Sequence, residues 1–331
     1  MLKTAVIGVG SMGKNHARVY SQLSGSTLVA VSDVNPQVVE TTAAQFAVRP
    51  YTDYREMLQK EKPDAVSIAV PTALHEKVAL DTLEAGCHIL IEKPIAATLD
   101  EGKNIIEAAR KFNRILMIGH IIRFNPALQL LKQKLDAGDL GRIFQIFCRR
   151  AGPFPARIRD VGVVIDLAPH DVDIMRYLTG SDPKRLYAEI EQRIHTEHED
   201  LLFGLLRFPD HITGALEINW LTPTKVREVF VLGEKGMFKV DDLLQDLYFY
   251  ENAQVAGNLW GSLATLKGVS EGSMIRFAID RYEPLKAELQ AFLKSVMGEI
   301  KVPITGEDGL AALRLALALI ESGQTNKVIE L

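Results

Sequence analysis

Three groups of residues in this chain have the types and spacing that chemistry requires. The first is Gly8-Val9-Gly10-Ser11-Met12-Gly13, a G-x-G-x-x-G run directly after the apolar stretch Thr4–Gly8 and at the start of a helical pattern. Glycines there permit a tight turn and let backbone N–H groups approach a pyrophosphate, which the positive end of the following helix also attracts. The second apolar strand ends in Asp33, where the fingerprint places an acid that accepts hydrogen bonds from the adenosine ribose. A carboxylate at that point repels a 2′-phosphate, and the next residues, Val34 and Asn35, supply no arginine to offset it, so NAD is expected rather than NADP. The second group is Glu92-Lys93-Pro94, at the end of the apolar run His88–Ile91. A lysine at the carboxyl end of a central parallel strand points into the crevice where such sheets bind ligands. Taken alone, the same tripeptide reads as well as a solvated loop. The third group is Asp166 and His170, four apart and able to share one helix face. Pro169 suits the first turn of a helix, so His170 is expected near the positive helix end, where a neutral imidazole fit to act as a base is favoured. Taken alone, His170 is also a candidate structural histidine, and Asp171 and Asp173 a solvated first turn.

These residues need elements to carry them. Over the first 120 residues short apolar runs at Thr4–Gly8, Leu28–Ser32, Ala65–Ala69, His88–Ile91 and Ile115–Gly119 alternate with helical patterns at Met12–Leu23, Pro36–Phe46, His75–Ala85 and Leu99–Lys111. That alternation predicts a doubly wound parallel sheet covered on both faces, a Rossmann α/β domain. After a helix at Pro126–Ala137, longer segments at Arg142–Arg150, Arg185–Gln192, Leu201–Phe208, Ile212–Trp220 and Val226–Leu232 are separated by turn signals such as Pro209-Asp210-His211. They predict an open, largely antiparallel sheet in an α+β domain, closed by helices at Pro284–Met297 and Glu307–Ser322, with residues 252–275 as an irregular excursion. The expected division is 1–120 for the dinucleotide and 121–331 for substrate and oligomer contacts.

The formal net charge of −4, without a long run of one sign, argues against a general nucleic-acid partner. No apolar run approaches the length of a membrane helix, the N-terminal apolar run is too short and glycine-broken for a signal peptide, and two isolated cysteines, Cys87 and Cys148, suit a reducing cytoplasm. Nothing in the spacing calls for a metal.

The chain resembles the Gfo/Idh/MocA family, the glucose–fructose oxidoreductase and inositol dehydrogenase relatives. The resemblance rests on the N-terminal glycine run, on V-P-T-A-L-H at Val70–His75, A-G-C-H-I-L-I-E-K-P-I-A at Ala85–Ala96, G-V-V-I-D-L-A-P-H-D-V-D at Gly162–Asp173, V-L-G-E-K-G at Val231–Gly236 and E-P-L-K-A-E-L at Glu283–Leu289. It implies that Lys93, Asp166 and His170 form the catalytic set and that Pro71, His75 and Glu92, with Lys93 and the Gly8–Gly13 loop including Ser11 and Met12, line NAD. It also implies a homodimer or homotetramer assembled through the C-terminal sheet. Many members carry two or three glycines before the catalytic aspartate. Here Gly162 stands alone before Val163-Val164-Ile165, which bears on the substrate-side wall. Segments Gly119–Pro126 and Gly152–Gly162 are most similar to the branch that dehydrogenates UDP-N-acetylglucosamine at C3. The expected reaction is hydride transfer between a sugar hydroxyl and nicotinamide, with a free sugar or inositol-like polyol, a non-sugar ketone or imine, or a non-catalytic NAD-binding regulator as alternatives. Five arginines, Arg142, Arg149, Arg150, Arg157 and Arg159, occur without an intervening carboxylate until Asp160, and suit a diphosphate linker. Arg123, Asn125, Arg157 and Arg159 are the expected substrate contacts. The alternative is that the arginines are solvated or pair across subunits, above all Arg149 and Arg150, which alternate across a strand.

Overall fold

The computed structural model describes residues 1–155, 161–194, 197–253 and 270–331. The N-terminal elements are β1 (Leu2–Ile7), α1 (Ser11–Gln22), β2 (Ser26–Ser32), α2 (Pro36–Phe46), β3 (Arg49–Tyr51), α3 (Tyr54–Glu61), β4 (Ala65–Ile68), α4 (His75–Glu84), β5 (His88–Glu92), α5 (Leu99–Lys111) and β6 (Leu116–Gly119). There follow α6 (Pro126–Asp136), β7 (Ile143–Pro153), α7 (Val163–Thr179), β8 (Arg185–Glu191), β9 (Leu201–Arg207), β10 (Thr213–Asn219), β11 (Leu221–Gly233), β12 (Gly236–Asp241), β13 (Asp246–Ala253) and β14 (Ser270–Arg276). Helices α8 (Pro284–Val296) and α9 (Gly306–Thr325) and the short β15 (Ile329–Glu330) end the chain. The chain divides into two compact units, Met1–Phe124 with Tyr282–Leu315, and Asn125–Arg281 with Ala316–Leu331. A single break near residue 120 misses the return of the chain to the first unit.

In the first unit six parallel strands take the order β3-β2-β1-β4-β5-β6. The order reverses between β1 and β4, the point at which such sheets open a ligand crevice beyond their strand ends. The strands are near-continuous apolar runs because both faces are covered: β4 is wholly buried, as are Ile89, Leu90 and Ile91 of β5. Local chemistry sets the helix starts. Asn35 accepts from the backbone N–H groups of Gln37 and Val38 ahead of Pro36, and Thr98 and Glu101 form a reciprocal capping box on α5. The patterns at Pro36–Phe46 and Leu99–Lys111 therefore appear with the expected bounds. Strand β3 and helix α3 lie in a stretch where three strand residues are too few for a periodic signal. Helix α8 packs on α1, and Arg18 of α1 pairs with Glu283 at the start of α8.

In the second unit nine strands take the order β14-β13-β12-β11-β7-β10-β9-β8-β15. Every described pairing is antiparallel except β7 with β10, which is parallel. Residues 270–276 form the edge strand β14 where the sequence suggests irregular chain; residues 254–269 lie outside the described set. One sheet face is lined by helices: a Cβ on Gly214 would approach the Met175 sulfur of α7 at 2.8 Å, and one on Gly204 would reach Leu319 of α9 at 3.2 Å. The other face leaves Phe203 and Leu205 about half exposed. No helix among the described residues is long and apolar enough to cross a membrane.

The core of the first unit contains a costly group. Glu288 of α8 is fully buried and neither carboxylate oxygen has a hydrogen-bond partner. Burial first, and then the nearby Glu92, push its carboxyl well above the usual carboxylate range. In the unfolded chain Glu288 ionises near pH 4, whereas the folded protein retains the proton, so stability falls as pH rises above that point. Gln at this position cannot ionise. Thermal unfolding of wild type and E288Q, compared at pH 5 and pH 8, should show the variant gaining on wild type as pH rises. A stability difference independent of pH would mean that Glu288 is not held protonated.

Candidate functional site

The glycine loop fits a dinucleotide at its pyrophosphate. Gly8 has φ +84°, and a Cβ there would sit 2.6 Å from the Ala69 carbonyl oxygen at the end of β4. A Cβ on Gly13 would fall 1.8 Å from the Gly8 oxygen, so any side chain would separate helix from loop. Gly10, by contrast, faces open space, and it caps α1 with no side chain on its free N–H groups and no acid in the first turn. An anion can approach there without steric or electrostatic opposition. Ser11 is exposed and Met12 half-buried on the opening turn. Asp33 is half-buried: Oδ2 accepts from Val9 N–H at 2.9 Å and Oδ1 from Asn35 N–H at 2.9 Å. The acid thus braces the glycine loop from the second strand, and each oxygen keeps a lone pair for a ribose hydroxyl.

Around Lys93 the neighbouring side chains are committed to holding the backbone. Glu92 Oε1 lies 2.9 Å from Nε2 of His16, a fully buried residue on α1. The β6 backbone comes close enough that a Cβ on Gly119 would be 3.1 Å from the same carboxylate. His75 is buried, its Nδ1 2.9 Å from the Pro94 carbonyl oxygen and its Nε2 3.0 Å from that of Val70. Burial lowers its pKa, so the imidazole is neutral and donates to one carbonyl at a time. His75 and Glu92 therefore fix the turn that carries Lys93, while Pro71 stands exposed at the mouth of the preceding loop.

Asp166 and His170 share one face of α7 in the second unit, both half-buried. The helix differs from expectation. It begins at Val163, so Pro169 sits inside it and not in its first turn. Asp166 occupies the first turn, and His170 lies a turn further in, away from the free N–H groups of the helix end. An interior proline removes one helix hydrogen bond and crowds the carbonyl four residues back, costing about 3 kcal/mol. Tertiary ties offset that cost. Gly162 caps the helix without a side chain, and Glu199 supplies the missing acceptors: its carbonyl takes the Val163 N–H at 2.9 Å and its carboxylate the Val164 N–H at 3.2 Å. A Cβ on Gly162 would lie 2.0 Å from that carboxylate, which explains why position 162 is glycine.

Asp171 and Asp173 are buried, not a solvated turn. Asp171 pairs with Nε of the buried Arg150 on β7 at 2.7 Å. Arg150 also faces Asp242 at 4.0 Å, and Asp242 accepts from Asn125 Nδ2 at 2.6 Å. Asn125 spends both amide hydrogens on Asp242 and its oxygen on the Ala127 N–H, so it cannot also donate to a substrate. Of the other arginines, Arg149 pairs with Glu217 at 3.0 Å, Arg142 with Glu234 at 2.6 Å and Arg123 with Asp308 at 3.3 Å. Arg157 and Arg159 lie outside the described residues. The alternation of Arg149 and Arg150 across the strand was legible, but their partners Glu217 and Asp171 were not, nor were the ties of Asp242 to Asn125, Glu199 to Val164 and His16 to Glu92, because each contact spans at least 21 residues. No group of three or more metal-ligating side chains occurs among the described residues.

Asp171→Asn should cost about 3–5 kcal/mol in urea unfolding, because it leaves a buried guanidinium without its main counter-charge. The double variant R150M/D171L should recover most of that loss. A cost below about 1 kcal/mol for Asp171→Asn would place the pair among exposed, weak ion pairs.

Residues 2–120 match the family model described as the Gfo/Idh/MocA oxidoreductase family with an NAD-binding Rossmann fold, and residues 128–239 match the C-terminal domain model of the same family. The chain is 29% identical over 316 residues to UDP-N-acetylglucosamine 3-dehydrogenase of Acidithiobacillus ferrooxidans, covering 96% of this chain and 95% of that protein. It is 25% identical over 342 residues to myo-inositol 2-dehydrogenase of Thermotoga maritima, covering 100% and 98%. The solved structure of the Acidithiobacillus enzyme superposes with a TM-score of 0.86 over 98% of each chain. With a glycine loop built for a pyrophosphate, an acid bracing it and an Asp/His pair on one helix face, the chain belongs to the Gfo/Idh/MocA family of NAD-dependent oxidoreductases.

Proposed function

We propose that this dehydrogenase oxidises the C3 hydroxyl of a nucleotide sugar, with UDP-N-acetylglucosamine as the favoured substrate. The observation that carries the reading is the likeness, along nearly the whole chain, to the Acidithiobacillus enzyme of that name. The arginines do not add to it, since Arg142, Arg149 and Arg150 are each paired within the chain. A second reading, a polyol of the inositol type, is supported by the likeness to myo-inositol 2-dehydrogenase.

NAD, when bound, supplies the acceptor for the hydride. In this reading the backbone N–H groups of Gly8–Gly13 hold its pyrophosphate and Asp33 takes the ribose hydroxyls. Pro71, Glu92 and His75 shape the turn that presents Lys93. His170 takes the hydroxyl proton. Lys93 donates a hydrogen bond to the same oxygen, stabilising alkoxide charge as it develops. Asp166, one helical turn from His170 on the same face, orients the proton acceptor. Phe203 and Leu205, on the sheet face away from α7, suit contact with a second copy of the chain.

His170→Ala should lower the turnover number by about 10²–10⁴ while leaving NAD affinity nearly intact; retention of more than a tenth of the wild-type rate would remove His170 from the base role. NADH formation should be compared for UDP-N-acetylglucosamine, free N-acetylglucosamine and myo-inositol. The nucleotide sugar should give the highest kcat/KM. Equal or better turnover of myo-inositol would overturn the substrate assignment and favour the polyol.

A further inference from the structure

Strand β11 carries an arginine, Arg227, beside a break in its pairing. Its pairing with β7 slips: Leu221 faces Pro153, but the next aligned pair is Val226 with Ala151, so four residues bulge out between them. Arg227 follows the bulge directly opposite Arg150, which puts both side chains on the sheet face that α7 covers. The Arg227 Nη1 donates to the carbonyl oxygens of Ala151 at 2.6 Å and Val226 at 2.8 Å, closing the bulge. Those two bonds use both hydrogens of Nη1. The Nε–H and Nη2–H edge, the side of the guanidinium that matches the two oxygens of an oxyanion, makes no hydrogen bond or ion pair with any described residue.

The charges around it explain why that edge is left over. Asp171 and Asp242 lie against Arg150, at 2.7 and 4.0 Å, and serve that guanidinium first. Arg227 is half-buried, and its pKa is lowered by burial and then by Arg150, with Asp171, Asp242 and Asp166 opposing. Asp166, the residue nominated for chemistry, is thus among the charges that act on it. An arginine keeps its proton even when partly desolvated. A half-desolvated cation with an open fork is stabilised by an arriving anion more than a fully hydrated one would be.

We propose that Arg227 is a substrate-binding residue, taking an oxyanion of the substrate on its Nε/Nη2 edge. The ligand class is a sugar that bears a carboxylate or phosphate. The inference rests on the nucleotide-sugar reading and adds to it the residue that recognises the charge.

Calorimetric titration of the NADH-loaded protein tests it with three probes: UDP-N-acetylglucosamine, the corresponding UDP-linked uronic acid, and free glucuronate. Wild type, R227K and R227M are compared, with NADH affinity and thermal unfolding as checks that the fold survives. R227M should bind at least one probe about 10- to 100-fold more weakly, the usual worth of a charge-assisted hydrogen bond. R227K, which keeps the charge but not the fork, should fall between. A loss confined to the two uronic acids assigns the sugar carboxylate, and an equal loss for both UDP sugars assigns the phosphates. Unchanged affinity of R227M for every probe that wild type binds would overturn the inference, leave the nucleotide-sugar reading standing and reduce Arg227 to a bulge clasp. Failure of wild type to bind any of the three would overturn both.

Discussion

The buried ion pair between Arg150 and Asp171 is the constraint on which the second unit turns. Two charges taken from water cost several kilocalories per mole each, and they are tolerated only where geometry and further hydrogen bonds compensate. Here Asp242 and Asn125 complete the set, so β7, α7, the turn after β12 and the start of α6 are joined at one point. The residue on which this pair acts is next in sequence to His170. A helix with a proline in its seventh position is a poor helix by itself. The orientation of Asp166 and His170 therefore depends on contacts made by their neighbours, Asp171 below and Glu199 at the helix end.

The first unit solves a different problem, bringing backbone close to a charged ligand. Gly8 and Gly13 permit an approach that no side chain would survive, and Gly10 leaves the helix end open. The acids near this loop are tied down: Asp33 to Val9, and Glu92 to His16. Negative charge is thereby held at defined places beside a site that must accept a pyrophosphate. Glu288, close to Glu92 and buried without partners, stays uncharged, which keeps a second carboxylate charge out of the same interior.

Much of this was legible in the sequence because it is local. The glycine run, the strand-end Asp33 and Lys93, the i,i+4 spacing of Asp166 and His170, and the caps at Asn35 and Thr98 are short-range rules, and the structure has the elements that carry them. The errors have physical reasons. The start of α7 was misplaced because the preference of proline for first turns is a tendency of helices in folded proteins, and tertiary ties overrode it here. The bulge in β11, the edge strand β14 and the return of residues 282–315 to the first unit depend on contacts far apart in sequence. The arginine run illustrates the limit most clearly. Its spacing suggested a phosphate site, yet Glu217, Asp171 and Glu234, invisible as partners in one dimension, occupy three of its members.

In the proposed reaction one substrate oxygen meets His170 and Lys93 together. A crystal structure of the ternary complex with NADH and the sugar substrate tests it directly. The reacting oxygen should lie within about 2.6–3.2 Å of both a His170 ring nitrogen and Lys93 Nζ, with the carbon that bears it facing the nicotinamide. A bound sugar whose reacting oxygen touches neither side chain, or only residues outside this pair, would contradict it.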